Sequence, residues 1–132
     1  MLHPDDATAL RAPQALAGVI VSNHGGRSLD GAPASLARLP AVRLPPSTPA
    51  TPVLLDGGVR SGQDAFKALA LGADAVLIGR LQVYALAVGQ ARSASAHMLT
   101  LLTEELHACM AQVGCAAGRH HARGTAPTTT PE

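Results

Sequence analysis

Three short runs constrain this chain more than anything else in it: Gly18-Val19-Ile20-Val21, Val53-Leu54-Leu55 and Ala75-Val76-Leu77-Ile78. Each is apolar throughout, without polar alternation, and each stops at a loop bearing glycine or charge. Strands of that kind belong to parallel sheets whose two faces are both covered. Helical patterns stand between them, so the chain reads as repeated strand-then-helix units and is expected to be α/β.

The helices are marked by their starts and their apolar spacing. Pro4-Asp5-Asp6-Ala7 has the form of a first helical turn, since proline there forgoes a donor that has no partner anyway and acids favour the dipole. Ser61 with Asp64 three residues on is a capping arrangement, and Phe66, Leu69 and Ala70 then form one apolar face. A longer helix is predicted over about Ser93 to Val113, with Leu99, Leu102, Leu106, Met110 and Val113 as an ordinary core-facing stripe opposite Glu104 and Glu105. Leu44 to Pro52, with four prolines, is expected to be an extended surface connection. From residue 116 the chain is rich in small, basic and Thr/Pro residues and is expected to be a disordered tail, leaving 1–115 as the structured part.

With 47% hydrophobic and 14% charged residues in a length of 132, the chain has the composition of a globular core. A net charge of +1 and no long basic run leave no footprint for nucleic acid or an anionic membrane. No window reaches the roughly 20 apolar residues of a membrane span. The N-terminus lacks the regions of a signal peptide, so a cytoplasmic location is expected. Cys109 and Cys115 show nothing of a secreted disulfide framework and are read as free thiols. A metal is not expected: His107, Cys109, Cys115, His120 and His121 fit no standard zinc spacing.

Chemistry is sought where parallel strands end and the following loops begin. The first run ends in Ser22-Asn23-His24-Gly25-Gly26-Arg27, an imidazole and a guanidinium three residues apart on a tight loop. A histidine can take a proton from a substrate hydroxyl, and a guanidinium fork can grip a carboxylate. Together they suit a 2-hydroxy acid, although either residue by itself is more often an ordinary loop histidine or a surface charge. The second run ends in Asp56-Gly57-Gly58-Val59-Arg60 and leads into a helix, and the third ends in Gly79-Arg80. Backbone amides and helix N-termini bind anions, and loops after the last two strands of a TIM barrel commonly hold a phosphate.

The series Ser-Asn-His-Gly-Gly-Arg-x-Leu-Asp, then Asp-Gly-Gly-Val-Arg, then Ile-Gly-Arg resembles the FMN-dependent family of glycolate oxidase, lactate dehydrogenase and mandelate dehydrogenase over about Pro4 to Cys115. The resemblance implies the C-terminal portion of a TIM (β/α)8 barrel, about strands six to eight with their helices, and FMN as cofactor. It implies that His24 is the catalytic base and contacts substrate, that Arg27 pairs with the substrate carboxylate, and that Ser22 faces the flavin. Asp56, Gly57, Gly58, Val59 and Arg60 correspond to the segment holding the ribityl chain and phosphate, and Gly79 and Arg80 to a second phosphate clamp. Leu81 replaces the family's usual proline after Gly-Arg, and Pro13 falls where the family has continuous helix. A flavin-contacting lysine is implied just before Met1, with tyrosines and the acid that orients the histidine further upstream.

A full barrel takes about eight strand–helix units and about 250 residues, so three strands form an incomplete one. The function expected is oxidation of a small 2-hydroxy acid to the 2-oxo acid, completed by a complementary barrel half or by self-association. The alternative is an inactive remnant that keeps only a phosphate half-site.

Overall fold

The computed structural model describes residues 2–11, 16–43, 51–89 and 91–115. Nine elements follow in order: α1 (Pro4–Arg11), β1 (Val19–Val21), a single 3-10 turn (His24–Gly26), α2 (Ser35–Arg43), β2 (Val53–Asp56), α3 (Gly62–Ala70), β3 (Ala75–Leu77), α4 (Arg80–Val88) and α5 (Ala91–Gln112). The strands form one parallel sheet in the order β1-β2-β3, with Val21, Leu55 and Val76 at one level. This is the α/β pattern expected. The expected tail, 116–132, and residues 44–50 of the expected connection lie outside the described residues.

Among the described residues one face of the sheet is closed. Val19, Val21, Val53 and Leu55 are buried and join Leu39 and Val42 of α2 and Ala65 and Ala68 of α3 in the main core, with Val76 packed against it. The residues between them point the other way: Ile20 is 45% exposed and Ala75 is exposed, with Leu54 half-buried between them. The expectation of cover on both faces is therefore corrected for the described residues. These positions are apolar because of what they are suited to face rather than what they touch.

Local signals explain the helix ends. Ser61 Oγ accepts from the Asp64 amide at 3.2 Å, and Asp64 Oδ2 accepts from the Ser61 amide at 3.1 Å, completing the predicted capping box of α3. Glu105 of α5 adds a carboxylate there, accepting the Gly62 N–H at 2.6 Å, where the positive end of the helix dipole favours it. At the other end Gly72, at φ +107, lets Ala73 N–H reach back to Ala68 O at 2.9 Å. Gly114 does the same for α5, with Cys115 N–H on Met110 O at 2.8 Å. Both are six-to-one closures that a left-handed glycine permits.

The predicted stripe on α5 is rotated in part. Leu102, Leu106 and Met110 do face inward, but Leu99 is 51% and Val113 42% exposed, and Met98 takes the inner position instead. A strict four-residue step, 98–102–106–110, fits the close seating of α5 on α3 better than the mixed spacing read from sequence. A Cβ on Gly62 would run into the Leu106 backbone, so glycine is what admits this seating. Glu105 is not turned only to solvent, as its bond to Gly62 shows. Phe66 and Ala70 of α3 form a second small core with Cys115, and neither Cys109 nor Cys115 is in a disulfide among the described residues. No helix of the described residues is long and apolar enough to cross a membrane.

At the end of the sheet away from the loops that follow the strands, Asp74 Oδ2 accepts from Arg43 Nη1 at 2.6 Å and from the Val53 amide at 2.8 Å. The pair is mostly buried, with side-chain exposures of 23% and 11%. One carboxylate thus ties the end of α2 to the start of β2. Asp74→Ala would leave Arg43 and the Val53 N–H without this partner, and the expected loss is about 3 kcal/mol of folding stability. A denaturant midpoint unchanged from wild type would show the tie to be idle.

Candidate active site

Because the strands are parallel and in register, Ser22, Asp56 and Leu77 stand at one level and their loops leave from one end of the sheet. The first two are joined: Ser22 Oγ donates to Asp56 Oδ2 at 2.6 Å, the short distance of a charge-assisted hydroxyl–carboxylate bond. Ser22 Oγ also accepts the His24 N–H at 3.0 Å, and Gly26 N–H closes the turn on Asn23 O at 3.0 Å. His24 is held at φ +55, Gly25 at +68 and Gly26 at +72. The imidazole and the Arg27 side chain are exposed on this turn.

Next to the turn lies a cavity of about 260 Å³. Asp56, Gly57, Gly58, Val59 and Arg60 line it from the loop after β2, and Gly79 and Arg80 from the loop after β3. Seven of the residues singled out in the sequence therefore surround one space, and Ser22 is bonded to one of them. His24 and Arg27 are not among its lining residues, but Gly25 between them is. Arg80 Nη2 donates to Gly25 O at 3.0 Å, joining the start of α4 to the His24 turn. Val59 is 7% exposed and packed in the main core, so what it can offer a ligand is backbone.

The donor set suits a phosphate monoester. Gly57 and Gly58 sit at φ +100 and +82, conformations that turn successive backbone groups toward one side. A Cβ added at Gly58 or Gly79 would meet no protein atom within 4 Å, so open space stands beside both backbones. Two guanidinium groups, from Arg60 and Arg80, flank that space and can each fork two phosphate oxygens. The Asp56 carboxylate beside them is an acceptor suited to hydroxyl groups.

Residues 1–125 match the family described as FMN-dependent dehydrogenase. The chain belongs to that family. It is 72% identical over 116 residues to an L-lactate oxidase of Alicycliphilus denitrificans, a match covering 88% of this chain and 31% of that protein. It is 50% identical over 108 residues to a peroxisomal (S)-2-hydroxy-acid oxidase of Oryza sativa subsp. japonica, covering 81% and 29%. Its fold superposes on a crystal structure of mandelate oxidase with 3,3-difluoro-2-hydroxy-3-phenylpropionic acid, with a TM-score of 0.83 at 42% identity, covering 94% of this chain and 36% of that one. The chain thus spans about a third of the length of these relatives. Its three-stranded parallel sheet is part of the fold that superposes on that mandelate oxidase structure.

In this FMN-dependent dehydrogenase segment the structure adds residues that the sequence did not single out for the site. Leu77, Leu81 and Tyr84 complete the cavity lining. Leu81 is the second residue of α4, which starts at Arg80. Tyr84 follows one helical turn after Arg80, a spacing that could have flagged it. Asn23, which the motif contains without a role of its own, and Ser35, which carries no sequence signal, stand behind the His24 turn.

The two adjacent glycines of the second loop differ in kind. A Cβ on Gly57 would sit 2.7 Å from Asn23 Oδ1 and 3.0 Å from Ser35 Oγ, whereas one on Gly58 would meet nothing. Gly57→Ala is expected to cost about 2–3 kcal/mol, as crowding adds to backbone strain. Gly58→Ala should cost about 1 kcal/mol, from backbone strain only. Denaturation of the two variants side by side checks the order, and equal midpoints would contradict it.

Proposed function

We propose that this segment supplies the base, the carboxylate anchor and the phosphate grip of an enzyme that oxidises a small 2-hydroxy acid to the 2-oxo acid with FMN. The gathering of Asp56, Gly57, Gly58, Val59, Arg60, Gly79 and Arg80 around one cavity, next to the His24 turn, is the observation that carries this reading. FMN, when bound, supplies the acceptor of the two electrons. Arg60 and Arg80 hold its phosphate together with the amides of the glycine loop, and Asp56 takes hydroxyl groups of its ribityl chain, with Ser22 toward the ring. His24 accepts the proton of the substrate hydroxyl. Arg27 grips the substrate carboxylate with two parallel hydrogen bonds from its planar fork.

In this reading β1, β2 and β3 are strands six, seven and eight of a TIM barrel, and the open face with Ile20, Leu54 and Ala75 lines its interior. The partner is a complementary barrel half that continues the sheet beyond β1 and β3. Both edges lack a strand among the described residues, and the apolar open face supports the same assignment.

Three outcomes test the proposal. In a barrel completed by the upstream half, His24→Ala should retain FMN while flavin reduction by L-lactate falls at least a hundredfold, the scale of general-base catalysis at roughly 10²–10⁴. Reduction at the wild-type rate would remove His24 from that role. Arg27→Lys should raise KM strongly, because a point ammonium lacks the planar fork, and unchanged kinetics would assign the carboxylate elsewhere. Expressed by itself, the 132-residue chain should be colourless and self-associating, and should turn yellow only when the upstream half is made in the same cell. A monodisperse monomer carrying stoichiometric FMN would overturn the barrel assignment.

A further inference from the structure

His24 is, among the described residues, the one non-glycine with a positive φ. That conformation costs an ordinary residue about 1–2 kcal/mol, and such strain persists where the surroundings over-determine it. The Ser22 hydroxyl, locked on Asp56, holds the His24 N–H from one side. From the other side the preceding amide is held: Asn23 N–H donates to Ser35 Oγ at 3.1 Å, and Asn23 Nδ2 donates to Pro33 O at 3.4 Å.

Ser35 opens α2 and is only 2% exposed, a buried polar side chain amid the apolar core. A serine at a helix start ordinarily caps its own helix. This one reaches instead to a loop twelve residues earlier. Its hydroxyl also abuts Gly57, where a Cβ would sit 3.0 Å away, so the group lies at the joint between the His24 turn and the Asp56–Gly58 loop.

We propose that Ser35 is a positioning residue for His24: by fixing the Asn23 amide, its buried hydroxyl sets the left-handed turn that aims the imidazole. The proposal rests on His24 being the base, and its test separates the two. Wild type, Ser35→Ala and Ser35→Thr are compared in the FMN-loaded barrel completed by the upstream half. The measurements are amide hydrogen exchange, FMN content, and the rate and pH profile of flavin reduction by L-lactate. Ser35→Ala should keep full FMN content and unchanged exchange in α3 and α5, while amides 23–26 exchange at least tenfold faster. Flavin reduction should slow tenfold or more with KM little changed, its pH profile keeping its shape, and Ser35→Thr should restore both exchange and rate.

Unchanged exchange at 23–26 in Ser35→Ala would overturn the proposal, and so would failure of threonine to rescue. Faster exchange spread evenly over α2 and α3 would assign Ser35 to general packing and overturn it as well. If Ser35→Ala does not fold, Ser35→Cys keeps the volume with a weaker acceptor. It should then show the fast exchange, and wild-type protection in it would count against the proposal. If wild type itself leaves flavin oxidised in the presence of L-lactate, the proposed function fails, while the exchange comparison still decides whether Ser35 fixes the turn.

Discussion

Three parallel strands held at one level put every loop that follows a strand at the same end of the sheet, and the rest of the site depends on that register. Ser22 can reach Asp56 because the strands carrying them are paired residue for residue through Val21 and Leu55. A slip of one residue would reverse the side-chain faces of a strand. It would bury Ile20 in place of Val21 and take the Ser22 hydroxyl out of reach of the carboxylate. Hydrophobic alternation in the core thus fixes the polar geometry above it. The buried set Val19, Val21, Val53 and Leu55 is the part of the chemistry that does no chemistry.

The two ends of the sheet have separate duties. At one end Asp74 satisfies Arg43 and the Val53 amide together, and left-handed Gly72 closes α3 just before β3. These contacts are buried, local to the elements they join and remote from the cavity. At the other end the backbone is bent: His24, Gly25, Gly26, Gly57 and Gly58 all have positive φ. Left-handed turns gathered at the loop end, with the strained His24 among them, over a cross-tied base match the division of labour between the two faces of α/β barrels.

What could be read from the sequence follows from how local each cause is. The three strands and the α3 capping box are determined by neighbours a few residues apart, and they appear where their residues predict. The cavity-lining residues were named from a motif, and they converge because each lies just past a strand end. The phase of α5 differs from its apolar spacing at Leu99 and Val113, since the helix is seated against Gly62, far away in sequence. Ser35 was passed over for the same reason. Its partner is the Asn23 amide, and no pattern of residue types reports a bond between a side chain and a distant backbone group. The exposed inner face shows the opposite failure: the apolar runs foretold cover on both faces, and the described residues close one.

That open face accounts for which part of the site this segment can build from its own residues. In the proposed function the phosphate cradle draws on the loops after β2 and β3, with the Ser61–Asp64 box and the start of α4 behind them, and the β1 loop joins it through Ser22 and Gly25. The side of the sheet with Ile20, Leu54 and Ala75 is different, because covering it takes residues that pack across the sheet rather than along it. Fully covering one side chain such as Ile20 is worth about 1.5–3 kcal/mol, and among the described residues no strand lies beyond β1 or β3. Anion recognition and ring burial therefore depend on different ranges of the chain. In the proposed function the charged end of the cofactor is met by loops that fold with their own strands, whereas its flat apolar end is met by the opposite wall of the barrel.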